Sequence, residues 1–184
     1  MTGEAPAAVT APDARPVALR PLTVADADDV QRIYSGPSRE AQGDADLTAS
    51  QARELIAHAA EAVGGVPLLA GMVGITVGGT LVGTIGLRDA GRGHWRVGYV
   101  LRDDVWGRGY ATAALHQAVA VAFHDTTVRS LGAKVRLDNP ASARVLAKAG
   151  FRIVGQDERF RHFALDRPTA PLATVPPDPA RFTA

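Results

Sequence analysis

The apolar positions along this chain change their spacing twice, and the changes divide it into elements. Val17-Ala18-Leu19-Arg20-Pro21 is a short strand closed by proline. Thr23 then caps a helix, Asp26 stands in its first turn, and Val30, Ile33 and Tyr34 form its apolar stripe. Ser35 to Asp46 is polar and reads as a loop. Thr48 or Ser50 caps a second helix through Ala52, Leu55, Ile56, Ala59 and Val63, which Gly64-Gly65 ends. From Leu68 the period shortens. Leu68 to Val77, Leu81 to Arg88 and His94 to Arg102 are strands joined by Gly78-Gly79 and Gly91-Arg92-Gly93, an antiparallel meander.

Helical spacing returns at Ala111, Ala114, Leu115, Ala118 and Ala122. Leu131 to Leu137 is the next strand. It is reached through a helix, so it runs parallel to the strand before that helix. Asn139-Pro140 opens a further helix with Val145, Leu146 and Ala149 inward, and Gly150 ends it. Phe151 to Gly155 and Phe160 to Leu165 close the fold as a hairpin around Asp157-Glu158. The order β-α-α-β-β-β-α-β-α-β-β predicts one α/β (α+β) domain over residues 17–167. Its sheet is mixed, mostly antiparallel and seven-stranded, with helices on both faces. Residues 1–16, rich in Ala, Pro and Thr, read as a disordered leader. Residues 168–184 hold five of the chain's 12 prolines and read as a loose tail.

Composition narrows the function. The 184 residues suit one domain with a real core, and 46% are hydrophobic. The absence of cysteine excludes disulfides, a thiol nucleophile and cysteine-bound zinc. A net charge of +1 with no basic block argues against nucleic acid as a partner. No apolar run approaches the roughly 20 residues that span a bilayer, so no membrane is expected. The N-terminus carries no export pattern, and the expected address is cytoplasmic. The histidines His58, His116, His124 and His162 show no metal-ligand spacing, so no metal is expected.

The stretch Trp106-Gly107-Arg108-Gly109-Tyr110-Ala111-Thr112 lies between a strand and a helix. Glycines without Cβ atoms and the free N–H groups of a helix start suit a phosphate, and Arg108 adds a charge-assisted donor. The same residues also serve as a plain strand-to-helix connection. About thirty residues on stands Asn139-Pro140-Ala141-Ser142-Ala143-Arg144-Val145-Leu146-Ala147-Lys148-Ala149-Gly150-Phe151. With both motifs and this element order, residues 17–165 closely resemble the GNAT acyltransferase superfamily. Within it they look most like the ribosomal-protein and other N-terminal amine acetyltransferases.

The resemblance implies an acetyl-CoA-dependent N-acetyltransferase. The acceptor is a primary amine, on a protein N-terminus or a small molecule, attacking directly in a ternary complex. It implies that the strands on either side of the glycine-loop helix splay apart. The pantetheine arm of acetyl-CoA would then lie along the backbone of Tyr99, Val100 and Leu101. The pyrophosphate would rest on the amides of Gly107, Arg108, Gly109, Tyr110, Ala111 and Thr112. Asn139 is a helix cap and, in relatives, a cofactor contact; Ser142 is a surface serine or the acid that protonates the departing thiolate. An amide of Val100 or Leu101 would meet the oxyanion. Relatives are often dimers, which leaves a homodimer open.

The chain departs from the family where the base should stand. The usual glutamate position, two residues before Gly98-Tyr99, is Arg96, and a second acidic position is Ala113. Asp157 or Glu158, His94 and Glu40 are the remaining base candidates, Glu40 in a loop that lines the acceptor site in relatives. A weak base suits an α-amine, which titrates near 7.7–8.0, better than lysine near 10.4. Arg96 would then hold an acidic group of the acceptor. A non-catalytic acyl-CoA-binding module is the alternative. A nucleotide triphosphatase is disfavoured, because the loop lacks the Lys-Ser/Thr pair.

Overall fold

The computed structural model describes residues 16–62 and 71–169. The expected helix stop at Gly64-Gly65, the start of the Leu68 strand, the leader up to Arg15 and the tail beyond Thr169 lie outside the described residues. Seven strands form one sheet in the order β1-β2-β3-β4-β5-β7-β6. They are β1 (Val17–Arg20), β2 (Gly71–Val77), β3 (Thr80–Asp89), β4 (His94–Leu101), β5 (Ser130–Arg136), β6 (Arg152–Gln156) and β7 (Phe160–Asp166). Only the β4–β5 pair is parallel. The meander β2-β3-β4 is turned by Gly78-Gly79, both at positive φ, and by Gly91-Arg92-Gly93.

Among the described residues five α-helices accompany the sheet: α1 (Ala27–Ile33), α2 (Pro37–Glu40), α3 (Ala49–Ala62), α4 (Tyr110–His124) and α5 (Pro140–Lys148). The stretch read as a loop, Ser35 to Asp46, contains α2, a single turn started by Pro37. The first predicted helix begins as a 3-10 turn, Val24–Asp26. Two apolar clusters cover the two sheet faces. One joins α4, with Ala114, Leu115, Ala118 and Ala122 fully buried, to Val97, Leu101, Leu131, Val135, Leu146 and Phe163. The alanines at four-residue spacing let α4 lie close against the sheet. The other joins α1 and α3 through Val30, Ile33, Tyr34, Ala52, Ile56 and Leu81. Each fully buried Leu or Ile contributes about 1.5–3 kcal/mol.

Polar contacts fix the ends of elements. The Thr48 amide donates to Gln51 Oε1 (2.9 Å) and the Gln51 amide to Thr48 Oγ1 (3.3 Å), a reciprocal cap for α3. Beyond β7, the Arg167 guanidinium spans the far end of α4. It donates to the carbonyls of Phe123, Asp125 and Val128 and lies over the Phe123 ring. A cation there satisfies carbonyls at the negative end of the helix dipole. Among the described residues no helix is long and apolar enough to cross a membrane.

Asp26 ties β1 to the first helix. Its carboxylate accepts both Arg20 Nη1 (2.8 Å) and Nη2 (2.6 Å), the Thr23 amide (2.7 Å) and the Thr23 hydroxyl (3.0 Å). The Arg20 hydrogen bonds, with the Thr23 donors, hold its pKa at about 2, against 3.8 unperturbed. A depressed carboxylate pKa stabilises the fold fully above the unfolded value and loses that contribution as pH falls toward the folded one. Asp26→Asn is therefore expected to cost about 1–2 kcal/mol at neutral pH. In denaturant titrations the gap to wild type should close as pH falls from about 4 to about 2.

Candidate active site

β4 and β5 pair over three residues: His94 with Ser130, Trp95 with Leu131 and Arg96 with Gly132. Past Arg96 the two strands part, while β4 stays paired with β3 up to Leu101 and β5 with β7 up to Arg136. The alternation of β4 decides which backbone groups face the opening. The His94 carbonyl accepts from Ala90 and the Arg102 amide donates to Val82, so even-numbered residues turn their backbone groups to β3. Odd-numbered Val97, Tyr99 and Leu101 turn theirs to the opening. The expectation for Val100 is corrected accordingly. Its backbone is committed to β3, and only its side chain reaches the site.

The opening leads into two cavities. The first holds about 560 Å³ and is lined by Leu101, Trp106, Gly107, Gly109, Tyr110, Ala111, Thr112 and the first turn of α5. At its floor α4 starts from Gly109, which has φ 81° and no side-chain cap. The first amide used inside the helix is Ala113, donating to the Gly109 carbonyl. The preceding amides of Tyr110, Ala111 and Thr112 stand at the positive end of a 15-residue helix with no helical acceptor. A Cβ on Gly107 would meet nothing within 4 Å. These are bare amides over open space, which fits the pyrophosphate of an acyl-CoA. Trp106 is pinned by its indole N–H to the Leu101 carbonyl (2.9 Å), and Arg108 Nη2 donates to the Asp104 carbonyl (3.4 Å).

The second cavity, about 910 Å³, lies on the α1–α3 face of the sheet. Its floor holds Gly86 and Gly98, directly opposite each other on β3 and β4. Arg88, Arg96, Lys134 and Arg136 stand around them, with Tyr34, His58, Met72, Trp95 and Phe160 among the walls. A Cβ on Gly98 would meet nothing within 4 Å. Of the acidic side chains lining it, Asp44 is paired with Arg39 (3.2 Å) and Asp89 accepts the Gly91 amide (2.7 Å).

Tyr99, Val100, Asn139, Ser142, Ala41 and Gln42 line both cavities. There Asn139 caps α5, its Oδ1 accepting from the Ser142 amide (3.0 Å) and its Nδ2 donating to the Ala41 carbonyl (3.4 Å). The Tyr99 hydroxyl lies 2.9 Å from Ser142 Oγ and 3.2 Å from the Ser142 carbonyl. Burial pushes the Tyr99 pKa up to about 12, only partly offset by the Ser142 bond.

Several expected residues fall elsewhere. Asp157 and Glu158 line neither cavity. Asp157 shapes the β6–β7 turn instead, accepting the amides of Arg159 and Phe160 and the His162 ring. Those bonds hold its pKa at about 2, too low for a proton acceptor. His94 lines neither cavity and bonds Ser130 Oγ (2.7 Å). Glu40 lines the loop-side cavity, not the one with the glycine floor. Arg96 does line the latter. Sequence reasoning missed the Tyr99 side chain. His58 is an exposed residue of α3 that also lines the glycine-floored cavity. His58 Nδ1 must carry a proton to donate to the Glu54 carbonyl (2.8 Å), which leaves Nε2 as its acceptor.

A splayed strand pair ending over the bare start of a helix is the arrangement that the resemblance of the sequence motifs implies. The model for the acetyltransferase (GNAT) domain matches residues 17–152, and the chain belongs to that family. The "Uncharacterized N-acetyltransferase YoaA" of Bacillus subtilis (strain 168) is 35% identical over 77 residues, 41% of this chain and 44% of that protein. The fold is that of a GNAT-family acetyltransferase from Bacillus anthracis (TM-score 0.73, 18% identity, 82% of this chain and 95% of that one). Mycobacterium smegmatis RimJ in complex with CoA-disulfide is also similar (TM-score 0.62, 22% identity, 82% and 81%).

Gly109→Glu is expected to weaken CoA binding by about a hundredfold or more, since a carboxylate would meet the diphosphate. Unchanged affinity in calorimetry would show that the loop is not the phosphate site. Gly98→Leu tests the other cavity. It should leave CoA affinity within about twofold, because its side chain enters empty space, yet abolish acceptor turnover.

Proposed function

We propose that the protein is an acetyl-CoA-dependent N-acetyltransferase acting on an α-amine or another weakly basic primary amine. The observation that carries this is the shared wall. The cavity over the α4 amides and the glycine-floored cavity meet at Tyr99, Val100 and Ser142, so a thioester in one faces an amine in the other. Both reactants bind together, and no covalent enzyme intermediate is needed.

Acetyl-CoA brings the activated acyl group. The amides of Tyr99 and Leu101, turned to the opening, donate to oxygen charge that develops on attack. The Tyr99–Ser142 hydroxyl pair delivers a proton to the leaving sulfur. A tyrosine held at about 12 stays protonated throughout the physiological range, so this pair is a donor and not a base. Asn139 fixes the first turn of α5 and with it the Ser142 hydroxyl. The amine arrives partly neutral, and His58 Nε2 or water takes the remaining proton. That Asp157 is bonded within its own turn supports this choice. The resemblance to N-terminal acetyltransferases favours a peptide α-amine as acceptor.

Thiol release from acetyl-CoA, followed across short peptides with free N-termini and small amines, tests the reading. Tight CoA binding with no turnover on any amine would favour a binding module instead. For Tyr99→Phe, kcat should fall about tenfold or more, with CoA affinity little changed. An equal kcat would remove the hydroxyl pair from the chemistry.

A further inference from the structure

Three glycines and four cations share one face of the sheet beside the reacting centre. Gly86 and Gly98 form a low floor on β3 and β4, and Gly132 on β5 stands opposite Arg96. Arg88 and Arg96 stand directly opposite each other on β3 and β4. Lys134 and Arg136 follow Gly132 at alternate positions of β5, on the same face. Like charges directly opposite across strands repel and cost stability. No carboxylate among the described residues relieves Arg88, Arg96 or Lys134. Arg136 is paired with Asp138 (2.6 Å), Asp44 with Arg39, and Asp89 is bonded to an amide. Lys134 lies over the Phe160 ring. Arg88, Arg96 and Lys134 thus line the cavity without an ion-pair partner among the described residues.

Their spread matters as much as their number. Arg88 and Lys134 stand two strands and one pleat repeat apart, about 12 Å between Cα atoms. One carboxylate or one phosphate does not span that. Arg96 lies two to four residues along β4 from Gly98 and Val100, about 7–13 Å. We infer that the acceptor is a peptide N-terminus with acidic side chains at its second to fourth positions, which the Arg88–Arg96–Lys134 cluster holds while the free α-amine reaches the Tyr99–Ser142 junction. An extended peptide advances about 3.3–3.6 Å per residue, so those carboxylates fall opposite the cluster. The inference rests on the N-acetyltransferase reading above and assigns its substrate class.

The test is thiol release with three peptides of one length. One carries Asp and Glu at positions two to four, one their amide counterparts and one lysines; glucosamine 6-phosphate is a small anionic arm. The acidic peptide should exceed the amide peptide about tenfold or more in kcat/KM, chiefly through KM, with the margin shrinking as salt rises. In the double variant R88E/R96E the lysine peptide should overtake the acidic one. A merely structural role for these arginines does not produce that reversal. K134E, with one charge changed, provides the same readout should the double variant not fold. Equal turnover of the three peptides, a preference that survives charge reversal, or faster turnover of the amino-sugar phosphate would overturn the acidic-peptide assignment and leave the acetyltransferase reading standing. No CoA binding and no turnover of any amine would defeat both.

Discussion

Three residues of parallel pairing hold β4 to β5, and the pairing then stops while each strand stays bonded to its other neighbour. Backbone groups that leave a ladder must find other partners. Here the groups of Val97 and Tyr99 and the Leu101 amide face a cleft, where a ligand that resembles a strand would satisfy them, while the Leu101 carbonyl takes the Trp106 indole. The strand, the amides at the start of α4 and the capped turn of α5 converge on that cleft. Everything else in the fold serves to keep the two strands apart at one end and together at the other. Tyr99 bridges to α5, Trp106 anchors to Leu101, and the buried faces of Val97, Leu101 and Val135 pack beneath α4.

The two faces of the sheet divide the labour. The α4–α5 side offers amides and hydroxyls. The α1–α3 side offers a floor without side chains and a rim of charge. Arg96 adds a cation to that rim, and under the reading proposed above that charge would help to select the acceptor.

Much of this was legible in the residues. The two glycine turns, the alternation of β3 and β4, and the Asn139-Pro140 start announce local geometry and were placed within a residue or two. The short helix at Pro37–Glu40 was not, because a single turn has no periodicity to read. The glycine loop was visible because its geometry is backbone geometry, written in Gly107 and Gly109, both at positive φ. Ser142 was legible as a candidate proton donor, but its Tyr99 partner was not, because that pairing depends on which side chains meet in the fold. Nothing local in Tyr99 tells that it reaches Ser142, and nothing in Asp157 tells that it is spent on its own turn. Alternation did carry the cation cluster, but only once the β3–β4 and β4–β5 registers were known.

The Arg167 clasp on α4 joins the stretch just past β7 to the chemistry of the domain. The helix it steadies at one end offers, at the other, the amides over which a diphosphate would sit. A change in the chain just after β7 would therefore act on the same rod whose opposite tip carries those amides.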